Sequence, residues 1–400
     1  MSTSPEILQS RNLPTSRDEN WKYANLRPLE RVRFTAASQR SPGISADALP
    51  TPIEGYARYV FVDGLFAPDL SNALGQPGVT VEAIRSVTPA SDTVGDMRFA
   101  LLNEANAVDV ARVVAAPGAN CPACIEIVFV ASADAQTAAS YPRIELQVGP
   151  QAQLGLIERH FSVGSGANFV NGAVTLDIGA GARVDHCRVQ QTGTQAIWFD
   201  TLSASLARDA GYQLYLINLG AKSARSTMHI VLRGEQAELG VHSVSVGDRQ
   251  QVHDAYALVE HAAPHARSRQ SFRGIAGGRS RVAFNSKVVV REGAHGTDSY
   301  QSLRGLLAGA EAEIDVRPQL EIYTDDVRCA HGATAGKLDE AMLFYLLSRG
   351  LDPETAQRLL KWAFLEDVVA KIAVPELRRQ IEASLAGQMN DPTALEALAQ

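Results

Sequence analysis

The feature that most constrains this chain is a turn that keeps returning. From about residue 121 to 325, short alternating or apolar runs such as "IEIVFV", "RIELQV", "VTLDI", "HIVL" and "RVAFNSKVVV" are separated by glycine-containing turns. Several turns share an alanine: "GPQAQL", "GAGARV", "GEQAEL", "APHARS" and "EGAHGT". Aligned on Ala152, Ala182, Ala237, Ala266 and Ala294, they recur after 30, 55, 29 and 28 residues, the second interval being nearly two units. A strand repeat of this length, almost without helical period, marks a stacked architecture in which each turn of chain buries its apolar face against its neighbours. A β-helix is the expectation. A large antiparallel sandwich is the rival, because "GAEAEI" puts Ala312 only 18 residues after Ala294.

The flanks differ from this region. Ser16 and Glu19 stand in the S-x-x-E relation of a capping box, which predicts a helix carrying Trp21 inward in a first 50 residues read as helical and partly loose. "YARYVFVDGLFAPDLS" reads as two short strands turning at Asp63-Gly64, and "DMRFALLNEANAVDVARVV" as a helix running into a strand. After Gly336 the pattern becomes helical. The first helix carries Leu343, Leu346 and Leu347 on one stripe and ends at Arg349-Gly350. The second has Asp352 as N-cap, Pro353 at its first position, and Ala356, Leu360, Ala363 or Phe364, Val368 and Ile372 at helical spacing. The third begins at Pro375 and aligns Leu377, Ile381 and Leu385. Three domains are expected: 1–120 helical or mixed, 121–327 the β-helix, and 328–400 helical.

With 46% hydrophobic and 20% charged residues among 400, the composition is that of a globular protein. A net charge of -7 without a basic block argues against nucleic acid. No uninterrupted run of 18 apolar residues and no secretory start occur, so no membrane is expected and the cytoplasm is the expected compartment. Four cysteines do not make a disulfide framework.

Several motifs bear on chemistry. "GATAGK", residues 332 to 337, has three residues between its glycines where a phosphate loop needs four, and Leu338 stands where a hydroxyl should hold magnesium. ATP binding is therefore not expected. "GSGANF" lacks the third glycine of a dinucleotide loop. Cys121-Pro-Ala-Cys124 is half a zinc site without a second half at the usual spacing, or two structural thiols. His253, His261 and His265 are either ligands or hydrogen-bonded structural residues. His186 and Cys187 are adjacent, so on a strand they point to opposite faces and cannot share an ion. Cys329 and His331 are two apart, so on extended chain both donors face one way and can approach one metal or one iron-sulfur cluster. For that pair a turn, a metal site and a nucleophile all remain open.

The stretch "RPQLEIYTDDVRCAHGATAGKLDEAMLFYLLSRGLDPETAQRLLKWAFLEDVVAKI", residues 317 to 372, closely resembles the C-terminal signature of the SufB/SufD family of the SUF iron-sulfur cluster assembly system. Weaker resemblance runs through "RSTMHIVLRGEQAELGVHSVSVGDRQQVHD", "SFRG", "LNEANAVD" and "NWKYANL". The family implies a right-handed parallel β-helix between an N-terminal helical part and a C-terminal helical domain. It also implies a non-enzymatic scaffold, paired with a homologous SufB-like subunit through the β-helices and docking a SufC-like ATPase on the C-terminal helices, here around Leu343, Leu346, Leu360 and Phe364. The family's C-S-H-G-A-T element falls on Cys329, Ala330, His331, Gly332, Ala333 and Thr334, with Ala330 replacing the serine. By resemblance Cys329 and His331 serve a transient iron-sulfur cluster at the shared interface. A flavin in the complex and a homodimer of the isolated chain are further implications. SufB-type members usually carry glutamate-histidine-glutamate at this point, so the Cys-x-His favours the SufD type over the SufB type. A zinc- or cysteine-dependent hydrolase is the rival of another class. A carbohydrate-binding β-helix would need an aromatic groove that 6% aromatic residues do not favour.

Overall fold

The computed structural model describes residues 2–3, 13–15, 17–31, 34–37, 43–85, 97–132, 138–164 and 166–389. Its body is a parallel β-solenoid of about seven turns. Successive strands alternate between two sheets, so that Gln153–Val163, Arg183–Gln191, Gly211–Asn218, Glu238–Gly247, Arg267–Ala276, Asp298–Leu307 and Arg328–Gly336 stack on one face. Asn168–Ile178, Ile197–Leu206, Ser223–Leu232, Val252–His261, Arg281–Val290 and Glu313–Ile322 stack on the other. Between the sheets lies one long apolar core that includes Leu214, Ile230, and Phe272 stacked on Phe284.

The recurring alanine has a physical reason. Gln151, Gly181, Asp209, Gln236 and His265 all adopt positive φ, between 58° and 67°, and each is followed by a fully buried alanine: Ala152, Ala182, Ala210, Ala237 and Ala266. The αL residue turns the chain sharply, and its N–H bonds the next turn, as in Gly181 to Arg208 O at 2.9 Å and Asp209 to Glu235 O at 2.9 Å. The alanine then points inward where strands stack at about 4.8 Å and little room remains for a larger side chain. Ala210 fills the gap in the sequence alignment. Ala312 broke the register because it precedes Glu313–Ile322, and so belongs to the turns on the opposite edge of the solenoid.

The first coils are closed by antiparallel pairing. Ala57–Val62 lies parallel to Asn120–Ser132 but turns at Asp63 and Gly64, both at positive φ, into antiparallel Leu65–Phe66. On the other sheet Val79–Ile84 runs antiparallel to Val110–Ala115. Helix Arg98–Asn106 precedes that strand as expected, and packs Phe99 and Leu102 with Trp21 on Phe169 and Phe199. Among the described N-terminal residues, Trp21 sits in the short 3-10 helix Glu19–Trp21, with Asp18 at its N-cap, and a five-residue helix follows at Arg27–Arg31. Ser16, the expected cap, lies outside the described residues. Arg225 explains the inward Trp21, stacking on its ring at 4.4 Å and donating to Asn20 O at 2.8 Å.

The C-terminal helices are Glu340–Ser348, Pro353–Val369 and Pro375–Gln388. Asp352 caps the second by accepting from Thr355 N at 3.0 Å, and Gly350 has φ 92° after the first, as the sequence predicts. Leu365, Val368, Ile372, Leu377, Ile381 and Leu385 cover Val189, Ile217, Val244 and Ile275 on the outside of one sheet. Arg273 to Asp367, and Arg159 to Gln380 at 2.7 Å, fasten the helices there. The "GATAGK" segment is strand through Gly336, and residues 337–339 carry the chain from sheet to helix. No helix among the described residues is long and apolar enough to cross a membrane.

Candidate functional site

Among the described residues the last turn of the solenoid has no turn above it. Arg328–Gly336 pairs on one side with Asp298–Leu307, placing Cys329 beside Ser299 and His331 beside Gln301, and no described strand pairs with its other edge. Glu313–Ile322 ends the opposite sheet in the same way. Cys329 faces inward, packing half-buried on the core with Ile314, Val316 and Leu320. His331, two residues on and therefore on the same face, is exposed because no further turn covers it. Burial pushes the Cys329 thiol above the ordinary value, and Asp298 adds to this, while a hydrogen bond with the Ser299 backbone opposes it. Around this end lie exposed Tyr300, Ile322 and Tyr323. Pro318, with no N–H to offer, sits inside the free edge strand and blunts it against uncontrolled pairing.

The other candidates separate clearly from this pair. Cys121 and Cys124 lie in a bulge where Cys121 opposes Leu154 and Ile125 opposes Leu156, which turns both thiols into the core. The carbonyl of Pro122 would lie 1.9 Å from any Cβ at Gly155, so only glycine accommodates the bulge. The Cys121 thiol donates to Gln76 Oε1 at 3.3 Å, and burial followed by contact with Cys121 pushes the Cys124 thiol up. Cys187 is buried under the helices, its thiol pushed up by burial to about 12. His186 points the opposite way, into the interior, as adjacency on a strand requires.

The three spaced histidines do not converge. His253 and His261 stand at opposite ends of one strand, each buried and hydrogen-bonded to a serine (Ser245 at 3.2 Å, Ser268 at 2.9 Å), with burial pushing the pKa of each down to about 4. His265 is an exposed turn residue set edge-on to His295.

One cluster escaped sequence reading. Glu158, His160 and Asp200 hold ligand-type atoms within 4.8 Å of one another, fully inside the solenoid. Arg188 already pairs with both carboxylates: Nε and Nη2 donate to Glu158, and Nη1 to Asp200, each at 2.8 Å. Burial raises the Glu158 carboxyl, but Arg188, His160 and His186 outweigh it and hold it well below the usual range. A cation there would have to displace a paired guanidinium. The only sequence signal was polar residues at inward strand positions, and it emerges only once the strand register is known.

Of the helical residues expected at a docking surface, Leu343, Leu346 and Leu360 are half-buried, and Phe364 packs beside Arg273 at 5.9 Å. The apolar side chains that solvent reaches are their neighbours Met342, Phe344, Tyr345 and Leu359, with Phe344 72% exposed.

Comparison with known proteins bears directly on this arrangement. Residues 129–364 match the family described as SUF system FeS cluster assembly, SufBD core domain. The iron-sulfur cluster assembly protein SufD of Escherichia coli is 29% identical over 375 residues, covering 93% of this chain and 88% of that protein. An iron-sulfur cluster assembly SufBD family protein of Synechocystis is 27% identical over 396 residues, covering 94% and 87%. A chloroplastic protein of Arabidopsis thaliana, ABCI7, is 27% identical over 243 residues, covering 60% of this chain and 51% of its own. With its family match spanning more than half its length, and with a parallel solenoid as its core, the chain belongs to the SufBD family of the SUF iron-sulfur cluster assembly system.

Proposed function

We propose that this chain is a SufD-type scaffold subunit whose open solenoid end meets a SufB-like homologue, and that Cys329 and His331 contribute donors to a nascent iron-sulfur cluster assembled between the two. The observation that carries this is a thiol and an imidazole on one face of the end strand of the solenoid, whose outer edge no described strand covers. Thiolate and imidazole are the donors iron-sulfur chemistry uses, and two of them leave the remaining positions to another chain. The cluster is cargo, so incomplete ligation favours its release.

Met342, Phe344, Tyr345 and Leu359 form the surface for a SufC-type ATPase, which supplies the hydrolysis that this chain's sequence has no phosphate loop to perform. Four free cysteines suit a reducing cytoplasm, where a flavin bound in the complex would deliver electrons.

The test is reconstitution of the three-subunit complex under anaerobic conditions. His331→Ala lowers the iron-sulfur absorbance formed per complex while the subunits still co-elute. Unchanged cluster yield in His331→Ala and in Cys329→Ser would reject the donor role.

A further inference from the structure

Beneath Cys329 and His331 the interior of the solenoid stops being apolar. Followed down the strand register, Cys329 lies over Ser299 and Ser268, and only then over Leu239 and Tyr212. His331 lies over Gln301 and Gln270, and then over Val241 and Leu214. Ser268, Ser299, Gln270 and Gln301 are each no more than 1% exposed. Leucine, valine and tyrosine fill the next two rungs of the same columns, so packing alone does not call for polar groups here.

The four residues are wired downward. Ser299 Oγ and Ser268 Oγ are 2.9 Å apart, and Ser268 Oγ is 2.9 Å from His261 Nε2. Gln301 Nε2 donates to Ser286 O at 3.1 Å and to Ser286 Oγ at 2.7 Å, while Ser286 Oγ donates to Gln270 Oε1 at 2.5 Å. The amide nitrogen of Gln301 is therefore committed, which fixes its orientation. Its Oε1, buried, has no hydrogen-bond partner among the described residues. A buried acceptor left without a donor is unfavourable, and this one occupies the rung directly below the histidine.

A histidine that binds metal through one nitrogen needs its other N–H held by an acceptor, since that bond selects the tautomer and orients the ring. We propose that Gln301 is the positioning residue of this site, its Oε1 accepting from the His331 imidazole and so deciding which ring nitrogen is left for iron. Ser299, supported through Ser268 by His261, completes the floor beneath the Cys329 sulfur. This inference rests on reading Cys329 and His331 as donors to a nascent cluster.

The experiment uses the full chain with ¹⁵N-labelled histidine, reading the His331 ring-nitrogen shifts at a pH above the imidazole titration. The wild type shows one tautomer almost alone. Gln301→Leu shifts His331 to the mixture of a free histidine, and Gln301→Glu, which keeps an acceptor, restores the single form. Cobalt(II) alone, followed by its absorption bands, binds roughly 10-fold more weakly to Gln301→Leu, the low end of the usual loss when such a partner is removed. Circular dichroism and thermal melting identify any variant that fails to fold, and Gln301→Met then serves as the isosteric replacement. Tautomer populations unchanged in a folded Gln301→Leu or Gln301→Met overturn the proposal. A tautomer change accompanied by cobalt binding indifferent to His331→Ala supports the floor and counts against the donor reading instead.

Discussion

Replacing Arg188 by methionine tests whether the buried ion cluster holds the middle of the solenoid. The guanidinium makes three charge-assisted bonds of 2.8 Å to Glu158 and Asp200, and all three side chains are 3% exposed or less. Methionine keeps much of the volume but leaves two carboxylates facing each other in the interior. Breaking a buried pair from one side costs about 3–5 kcal/mol, because the surviving charge is neither solvated nor compensated.

The pH dependence gives a sharper signature. In the wild type the Glu158 pKa is depressed, so its contribution is present above the unfolded carboxylate value and is lost as pH falls toward the folded one. In Arg188→Met, burial, the largest influence on Glu158, acts without the guanidinium, and its folded pKa moves up from the depressed value. The mutant's deficit is then largest at neutral pH and shrinks as pH falls toward about 4.5, near the unfolded value for glutamate. Urea denaturation followed by circular dichroism across that range reads both quantities. Adding Glu158→Gln and Asp200→Asn to Arg188→Met restores most of the loss, since no buried charge remains. A deficit under about 1 kcal/mol at neutral pH, within the range of ordinary substitutions, would refute the reasoning, as would a deficit that does not narrow on acidification.

Two further outcomes follow from exposure. Phe344→Lys weakens binding of a SufC-type ATPase by about 30-fold, the effect of losing one central aromatic anchor, while the melting temperature stays that of the wild type because Phe344 is 72% exposed; calorimetric titration and a thermal scan check both. An alkylating reagent labels Cys329 in the native protein, with a rate whose midpoint lies above the ordinary thiol value, whereas Cys121, Cys124 and Cys187 react only after unfolding; peptide mapping by mass spectrometry decides, and comparable native labelling of Cys187 would contradict its burial.

Much of the solenoid was legible because its turns impose a local rule. An αL residue followed by a buried alanine depends on neighbours in sequence, so Ala152, Ala182, Ala237 and Ala266 announce it without reference to the rest of the chain. The direction that Cys329 and His331 share was legible for the same reason, since alternation along a strand is local. The N-terminal region was harder. Trp21 is held by Arg225, about two hundred residues away, and the 3-10 turn that carries it has little local signal of its own. The Arg188 cluster and the Ser299–Gln301 rung were invisible because both depend on register, which sets Glu158 beside Arg188 and Gln270 beside Gln301, with Asp200 reaching Arg188 from the facing sheet. The change of pattern after Gly336 was legible, since the last strand ends there and a helix starts at Glu340, but the glycine- and alanine-rich strand itself carries little β signal.

The antiparallel hairpin at Leu65–Phe66 and the free strand at Arg328–Gly336 make the two ends of the solenoid chemically unlike. The hairpin covers the edge of Ala57–Val62 at one end, whereas among the described residues no strand covers Arg328–Gly336 at the other. Under the proposed pairing through that uncovered strand, each body would turn its hairpin end outward, and a third would meet no like edge.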